Sequence, residues 1–265
     1  MKSIPKSTFS LCLVLISMPA LAELSARDLL DKARECTASA SSLKRVDTTE
    51  QSMAAIIDEK RLEQKPQTNV VTIEIDRSKL LARQTAMVEG KVLIILKQGV
   101  KAAMKLGHGP WEIPTGLYAS IAKDMGNLFV CERETPESEK NAPAWKVALT
   151  EPCGGEEAFV IETEGDTAVP LAQERMANGL ARSFPGDPAL RPKVKVLQYF
   201  SKHWIGKTDH RHLLTEQRSK VRMAMVLPNG QQQLIEQTSK TTSRYDYDDV
   251  SIEIPVEARR ILSPD

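Results

Sequence analysis

The feature that most constrains this chain is a period-two alternation of apolar and polar residues, interrupted by very short turns. Val71, Ile73 and Ile75 alternate with polar neighbours, which is the pattern of a strand with one buried face and one wet face. Strand-like runs continue on both sides of short turns at residues 89–90 and 98–99. Parallel strands need a long crossover, so turns this short require antiparallel pairing. The sequence therefore predicts an antiparallel meander.

The last third of the chain has the same character. Strand-like runs cover residues 194–200, 212–226 and 231–243, and a Pro-Asn-Gly turn between the last two is a strong hairpin signal. Residues 250–254 alternate again, which predicts a closing strand that ends at Pro255. With shorter runs in the middle of the chain, we expect about nine strands.

Three stretches have helical signals instead. Ser25 and Asp28 match a capping box at the start of a helix with one apolar stripe. Residues 115–130 and 171–181 have amphipathic patterns as well. Many strands with two or three helices predict an α+β fold, an open and strongly curved antiparallel sheet or half-barrel. The helices would lid this sheet around a hydrophobic cavity.

The first residues have the parts of a cleavable export signal. A basic start is followed by an apolar run at residues 11–18, and Ala-Leu-Ala at 20–22 fits the small-residue rule for cleavage. The apolar run is too short to span a bilayer. We therefore expect residues 1–22 to be a signal peptide, and residues 23–265 to form a single domain exported to the periplasm.

Cleavage would leave three cysteines, Cys36, Cys131 and Cys153, in an oxidising compartment. This odd number means one disulfide plus a free thiol, or no disulfide. Their spacing does not choose among the three possible pairs. Because Cys36 lies on the apolar stripe of the first helix, Cys131–Cys153 is the preferred disulfide. None of the three has the Cys-x-x-Cys spacing of a metal site.

Charge and motifs exclude several classes of function. The chain has 36 Lys+Arg against 35 Asp+Glu, whereas a nucleic-acid binder needs a basic surplus. No nucleophile elbow, zinc-protease motif or glycine-rich phosphate loop occurs in it, so we expect no enzymatic activity, no cofactor and no metal. His203, His210 and His212 are close in sequence, but their surroundings are more typical of a solvated hairpin tip than of a metal site.

Three stretches resemble the periplasmic lipoprotein-carrier (Lol-type) superfamily and related lipid-carrying proteins. They are the strand run IEIDRSKLLARQTAMVEGKVLIILKQG, the segment GPWEIP, and the ending TSRYDYDDVSIEIPVEA. The resemblance implies an open barrel of about eleven strands, lidded by helices, that holds acyl chains rather than performing chemistry. Lipoprotein carriers hold the lid closed with an inward arginine on an early strand, and Arg83 lies in the corresponding region. The family's Arg-Pro start is Arg77-Ser78 here.

With this resemblance, apolar positions on the strands and on the 115–130 helix become candidates to line the cavity. They are Ile73, Ile75, Met87, Leu93, Ile95, Met104, Trp111, Leu117, Ile121 and Met125. We expect a monomeric periplasmic carrier that binds lipid or lipoprotein acyl chains for transfer across the cell envelope, with inner- or outer-membrane transport components as partners. The alternative is a periplasmic sensor or interaction module of the same fold that binds a membrane or envelope partner.

Overall fold

The computed structural model describes residues 24–57, 60–127, 143–183, 192–226 and 231–263. Within them, eleven strands form one sheet and four helices pack around it. The strands are β1 (Ser42–Ile57), β2 (Lys60–Glu63), β3 (Gln67–Asp76), β4 (Leu81–Val88), β5 (Lys91–Gln98), β6 (Lys101–Leu106), β7 (Trp145–Cys153), β8 (Glu156–Thr163), β9 (Lys193–Gly206), β10 (His212–Val226) and β11 (Gln232–Asp246). The helices are α1 (Ala26–Ser39), α2 (Gly116–Asn127), α3 (Val169–Ser183) and α4 (Val256–Leu262).

Every strand pairing in the described sheet is antiparallel. The strand order is β6-β5-β4-β3-β1-β11-β10-β9-β8-β7, and β2 pairs with β1. The sheet therefore consists of two meanders, which join where the first strand pairs with the last, from Lys44–Asp246 to Ile56–Leu234. Strands β6 and β7 form two open edges. This confirms the predicted α+β half-barrel with an open antiparallel sheet.

Two tight turns have two consecutive residues with left-handed backbone. Glu89 and Gly90, between β4 and β5, have φ values of 51° and 74°. Gly154 and Gly155, between β7 and β8, have φ values of 62° and 93°. Two consecutive left-handed residues match the right-handed twist of the strands that such a turn connects. An added Cβ at any of the three glycines would meet nothing within 4 Å, so backbone conformation rather than space favours glycine there.

Helix α2 covers the N-terminal meander and seals an apolar cluster, which we call the α2 core. Ala122 and Met125 of α2 pack with side chains of β1, β3 and β5 that include Leu43, Ile75 and Ile95. We call this side of the sheet the inner face. Because successive side chains of a strand alternate between faces, the same strands also carry a second, outer set of apolar residues.

Helix α4 covers the outer face of the same meander. Leu96 and Ala103 point away from the α2 core and pack against Ile252 and Leu262. The predicted closing strand at 250–254 is wrong, because this segment crosses the outer face without joining the sheet and leads into α4, which the sequence analysis does not predict. Burying one side of an extended segment produces the same alternation whether or not its backbone pairs.

The sequence analysis also does not predict β1. Its residues on the inner face include Arg45, Asp47, Thr49 and Gln51, which lie opposite Tyr245, Ser243, Thr241 and Ser239 of β11. A strand whose inward side chains are polar has no period-two hydrophobic signal.

Helices α1 and α3 cover the inner face of the C-terminal meander. Leu29 and Leu30 of α1 pack with Ile161 of β8 and Ile205 of β9. The predicted capping box of α1 is confirmed, since the Ser25 hydroxyl accepts from the Asp28 amide and the Asp28 carboxylate accepts from the Ser25 amide. Ala172 of α3 packs on Val196 and Val221. The two helices thus form a roof over β8, β9 and β10.

Candidate ligand pocket

A hollow of about 260 Å³ lies between this roof and the inner face, and we call it the α1–α3 pocket. Its lining side chains come from α1, α3, β7, β8, β9 and β10 and from the segment just before β7. They are Arg34, Pro143, Trp145, Thr163, Ala168, Leu171, Ala172, Arg175, Met176, Tyr199, Ser201, His203 and Gln217. The wall thus combines apolar side chains with hydroxyl, amide and imidazole groups on the sheet and two arginines on the helices.

The pocket exists because α3 does not lie flat on a continuous sheet. Strand β8 pairs with β9 only from Ala158–Gly206 to Glu162–Lys202, so the first part of β9 has no strand on that side. The Gln173 side chain of α3 takes this place, donating to the Val194 carbonyl at 2.8 Å and accepting from the Val196 amide at 2.7 Å. The Gln173 side-chain amide thus replaces a neighbouring strand, because it hydrogen-bonds backbone groups at the β9 edge that would otherwise lack a partner there.

The end of β8 closes the other side of this gap. The Ser201 amide donates to the Thr163 hydroxyl at 3.1 Å, and both residues are buried. A bulge between the Lys220–Gln198 and Val221–Val196 pairs changes the parity of β9, so that Val196 faces α3 on the same side as Tyr199 and Ser201 of the pocket lining. The pocket therefore sits where the sheet ends its regular pairing.

All charged lining residues among the described ones are cationic, since the lining includes Arg34 and Arg175 but no Asp or Glu. Arg34 also pairs with Asp31 one turn earlier on α1, at 3.0 Å between Nη1 and Oδ1. Both side chains of this ion pair are exposed to solvent, so the pair contributes little to the stability of the fold.

His203, which lines the pocket, is largely withdrawn from solvent, and its neighbour His212 is buried, which corrects the expectation of a solvated hairpin tip for these two residues. His212 is 7% exposed, and its ring lies 5.5 Å from the ring of His203 and is stacked 5.5 Å from Tyr245. Burial and, to a smaller extent, the charge of Arg34 lower the pKa of His212 to about 4. Burial, followed by His212 and Arg34, lowers the pKa of His203 well below its ordinary value. Both rings are therefore neutral at neutral pH.

Neutral histidines fit their contacts here. His203 Nε2 lies 2.9 Å from the Ser201 hydroxyl, and its ring packs edge-on against Trp145 at 5.2 Å. His203 Nδ1 and His212 Nε2 have no hydrogen-bond partner in the described structure. Within the described residues, no group of three or more His, Cys, Asp or Glu side chains is placed to hold a metal ion.

The middle of the inner face is polar and separates the pocket from the α2 core. We call it the polar strip, and it consists of Thr49, Gln51, Gln217, Ser219, Ser239 and Thr241. Thr49 and Thr241 join hydroxyls across β1 and β11 at 3.0 Å, and Ser219 and Ser239 do so across β10 and β11 at 2.8 Å. Gln217 belongs both to this strip and to the pocket lining, so the polar strip borders the pocket.

The residues proposed from sequence as cavity lining divide into three groups. Seven of them lie in or against the α2 core: Ile73, Ile75, Leu93, Ile95, Met104, Ile121 and Met125. Trp111 packs instead with the outer-face cluster under α4. Met87 and Leu117 are exposed, at 53% and 65%. Their role as ligand-lining residues stays a prediction, and none of the ten lines the α1–α3 pocket.

Arg83 does not face the inner side of the sheet. Its guanidinium Nε donates to Glu74 at 2.6 Å, and both side chains lie on the outer face, opposite to Ile73, Ile75 and Ala82. The inward arginine of an early strand is Arg45, which pairs with Asp47 at 3.0 Å. Whether Arg45 or Arg83 points inward depends on the strand register, and the sequence does not show that register.

The preferred disulfide involves Cys131, which lies outside the described residues, so it stays a prediction. Cys153, half-buried at the end of β7, has a raised thiol pKa because of burial and nearby Glu151. Cys36 is half-buried as well, and its thiol lies 3.4 Å from the Asp209 carbonyl. The predicted signal peptide, the Pro-Asn-Gly turn at 228–230 and the last residues of the helix predicted over 115–130 also lie outside the described residues.

A second, larger hollow of about 520 Å³ lies at the ends of β7, β10 and β11. Its lining mixes carboxylates and guanidiniums, including Asp209, Arg211, Arg244 and Asp246. Charges of both signs at a wet surface favour neither an apolar ligand nor an ion of one sign. The α1–α3 pocket is therefore the better candidate site.

Comparisons with known proteins find only solved structures with low sequence identity to this chain. No family model and no curated protein matches the chain. The crystal structure of LprF from Mycobacterium bovis aligns over 87% of this chain and 96% of its own, with 11% identity and a TM-score of 0.46. A structure of lipovitellin, titled for its lipid–protein interactions, aligns over 82% of this chain and 26% of its own, with 9% identity and a TM-score of 0.25. In the described part of the chain, no helix combines the length and the hydropathy needed to cross a bilayer.

Proposed function

We propose that the protein is a non-enzymatic carrier that binds one acyl chain of a lipid or lipoprotein in the α1–α3 pocket, for transfer within the cell envelope. The observation that carries this proposal is the pocket itself, a hollow with an apolar wall that includes Trp145, Leu171 and Met176, roofed by two helices on the inner face. The signal peptide predicted over residues 1–22 supports a periplasmic site of action.

The pocket size limits what can bind without movement. Pockets for small molecules usually enclose about 300–1,000 Å³, and this one encloses about 260 Å³. One acyl chain, or part of it, therefore fits the pocket as it stands. A ligand with several chains requires the roof helices to move. A movement of α3 would involve the hydrogen bonds of Gln173 to the β9 edge.

The energetics of this pocket suit reversible binding. Each buried methylene contributes about 0.8 kcal/mol, so ten of them give about 8 kcal/mol before the cost of association. A net gain of about 8 kcal/mol would correspond to a dissociation constant near the micromolar range, and the cost of association makes the affinity weaker than that limit. Such a ligand would be held and yet released to an acceptor, as a carrier requires.

Filling the pocket with a larger side chain tests the proposal. Met176→Trp should reduce binding of a fluorescent fatty-acid probe by about tenfold or more, because the indole occupies space that the chain needs. Met87→Trp is the matched control, since Met87 is exposed and outside the pocket. Equal binding by both variants would contradict the proposed site. Failure of every acyl probe to bind the wild-type protein would contradict the carrier function and favour an interaction module.

A further inference from the structure

We propose that the ligand of the α1–α3 pocket carries an anionic head group, a carboxylate or a phosphate, which Arg34 and Arg175 bind at the mouth while the chain lies inside. This inference rests on the proposed carrier function and names the chemical class of its ligand.

The distribution of charge around the pocket supports an anion. The chain as a whole is nearly balanced, and arginines on the outer face are matched by carboxylates, as in the pairs Arg218–Glu216 and Arg222–Glu236. The described lining of the pocket has two arginines and no carboxylate, and Asp31, which pairs with Arg34, lies outside the lining. A cationic mouth of this kind attracts and orients an anionic ligand before it enters.

The positions of the two arginines fit the orientation of an amphiphile. Both sit on the roof helices, and their side chains reach solvent, whereas Ala168, just before α3, and Ala172 of α3 are buried. An amphiphile keeps its head in contact with water and buries its chain. Arg34 donates to Asp31 through Nη1, so an anion at the mouth would bind beside this existing contact.

The field of these arginines reaches the pocket floor. Arg34 lowers the pKa of both His203 and His212, in addition to the effect of burial. Burial raises the pKa of Tyr199, and Arg175 acts against that rise. The Tyr199 phenol is therefore neutral at neutral pH, and it supplies a hydroxyl donor within the same lining. Charge-assisted hydrogen bonds from arginine to a carboxylate or phosphate are stronger than neutral ones.

Ligands of equal chain length but different head groups test this inference. Dodecanoic acid, dodecyl phosphate and dodecanol are compared at neutral pH, each as a competitor of an uncharged naphthylamine dye. We expect one or both anions to compete about tenfold better than the alcohol, and the ranking of acid against phosphate identifies the head group. Equal competition by the alcohol would overturn the inference while leaving the carrier function intact.

Variants locate the effect. The double variant Arg34→Gln, Arg175→Gln should bind dodecanol like the wild type and lose the preference for anions. Lys32→Gln is the matched control, because Lys32 lies exposed on α1 outside the pocket and carries the same charge. Loss of the preference in Lys32→Gln would overturn the inference, as would its retention in the double variant. If the dye and all three ligands fail to bind the wild type, the proposed function itself is wrong. The wild-type comparison remains decisive if the double variant does not fold.

Discussion

Mild acid should destabilise this protein through its two buried histidines. His212 has a pKa of about 4 in the folded chain against an ordinary value of 6.5, and the pKa of His203 is shifted in the same direction. At pH values between about 4 and 6.5, His212 binds a proton in the unfolded chain but not in the folded chain. The free energy of unfolding therefore falls as the pH drops below about 6.5, and the loss is complete near pH 4.

The magnitude follows from the shift. One pKa unit corresponds to about 1.4 kcal/mol, so lowering the pH from 7 to 5 should cost about 2 kcal/mol at His212 alone. For a chain of this length, that loss lowers the melting temperature by roughly 4–8 °C. His203 adds to the effect, because its ring lies 5.5 Å from that of His212 and both face the charge of Arg34.

Urea unfolding at pH 7 and pH 5 measures this effect. Carboxylates with pKa values held low by ion pairs, such as Glu236 beside Arg222, lose their proton-linked stability only below this window. His212→Gln should be clearly less sensitive to pH than the wild type, and His108→Gln, at an exposed position, should retain the wild-type sensitivity. A wild-type protein equally stable at both pH values would refute the reasoning, as would an unchanged pH dependence in His212→Gln.

Three further predictions concern the elements around the sheet, each measured by urea unfolding. Met125→Asp buries a charge in the α2 core and should cost about 3 kcal/mol or more, whereas Leu117→Asp, on the same helix but exposed, should change stability by less than about 0.5 kcal/mol; equal losses would show that α2 is not docked as described. Leu80 has a φ of 50° and is 56% exposed, so Leu80→Asn should raise stability by about 0.5–1 kcal/mol, and a loss would argue against this turn conformation. Gln173→Leu removes both hydrogen bonds to the β9 edge and should cost about 1–3 kcal/mol and also loosen α3, seen as faster amide exchange in α3 than in α1; unchanged exchange would contradict its role.

The strands that the sequence predicts best are those with one apolar face. Val71, Ile73 and Ile75 alternate because one side of β3 contributes to the α2 core, and the same reason makes β4, β5 and β6 readable. Strand β1 is equally regular and lies in the centre of the sheet. Its sequence has no alternating hydrophobic pattern, because inward residues such as Thr49 and Gln51 belong to the polar strip.

The location of the pocket could not be read from the sequence for a different reason. Periodicity identifies side chains that are buried, and it does not distinguish a filled core from a wall around empty space. Ile95 and Met125 are buried in a packed cluster, whereas Met176 and Tyr199 border a hollow that depends on a β-bulge and on the Gln173 contact with a strand edge. Such features depend on register and on long-range pairing, which one sequence does not specify.

Mass spectrometry of the organic extract from protein purified under native conditions tests the central claim most directly. The account predicts an acyl-chain-containing amphiphile in the wild-type extract, present at up to one molecule per protein, retained in Met87→Trp and strongly depleted in Met176→Trp. A wild-type extract with no such molecule, from protein that also takes up no acyl probe when one is supplied, would contradict the claim that the α1–α3 pocket carries lipid. An amphiphile retained equally in Met176→Trp would contradict the assignment of the site.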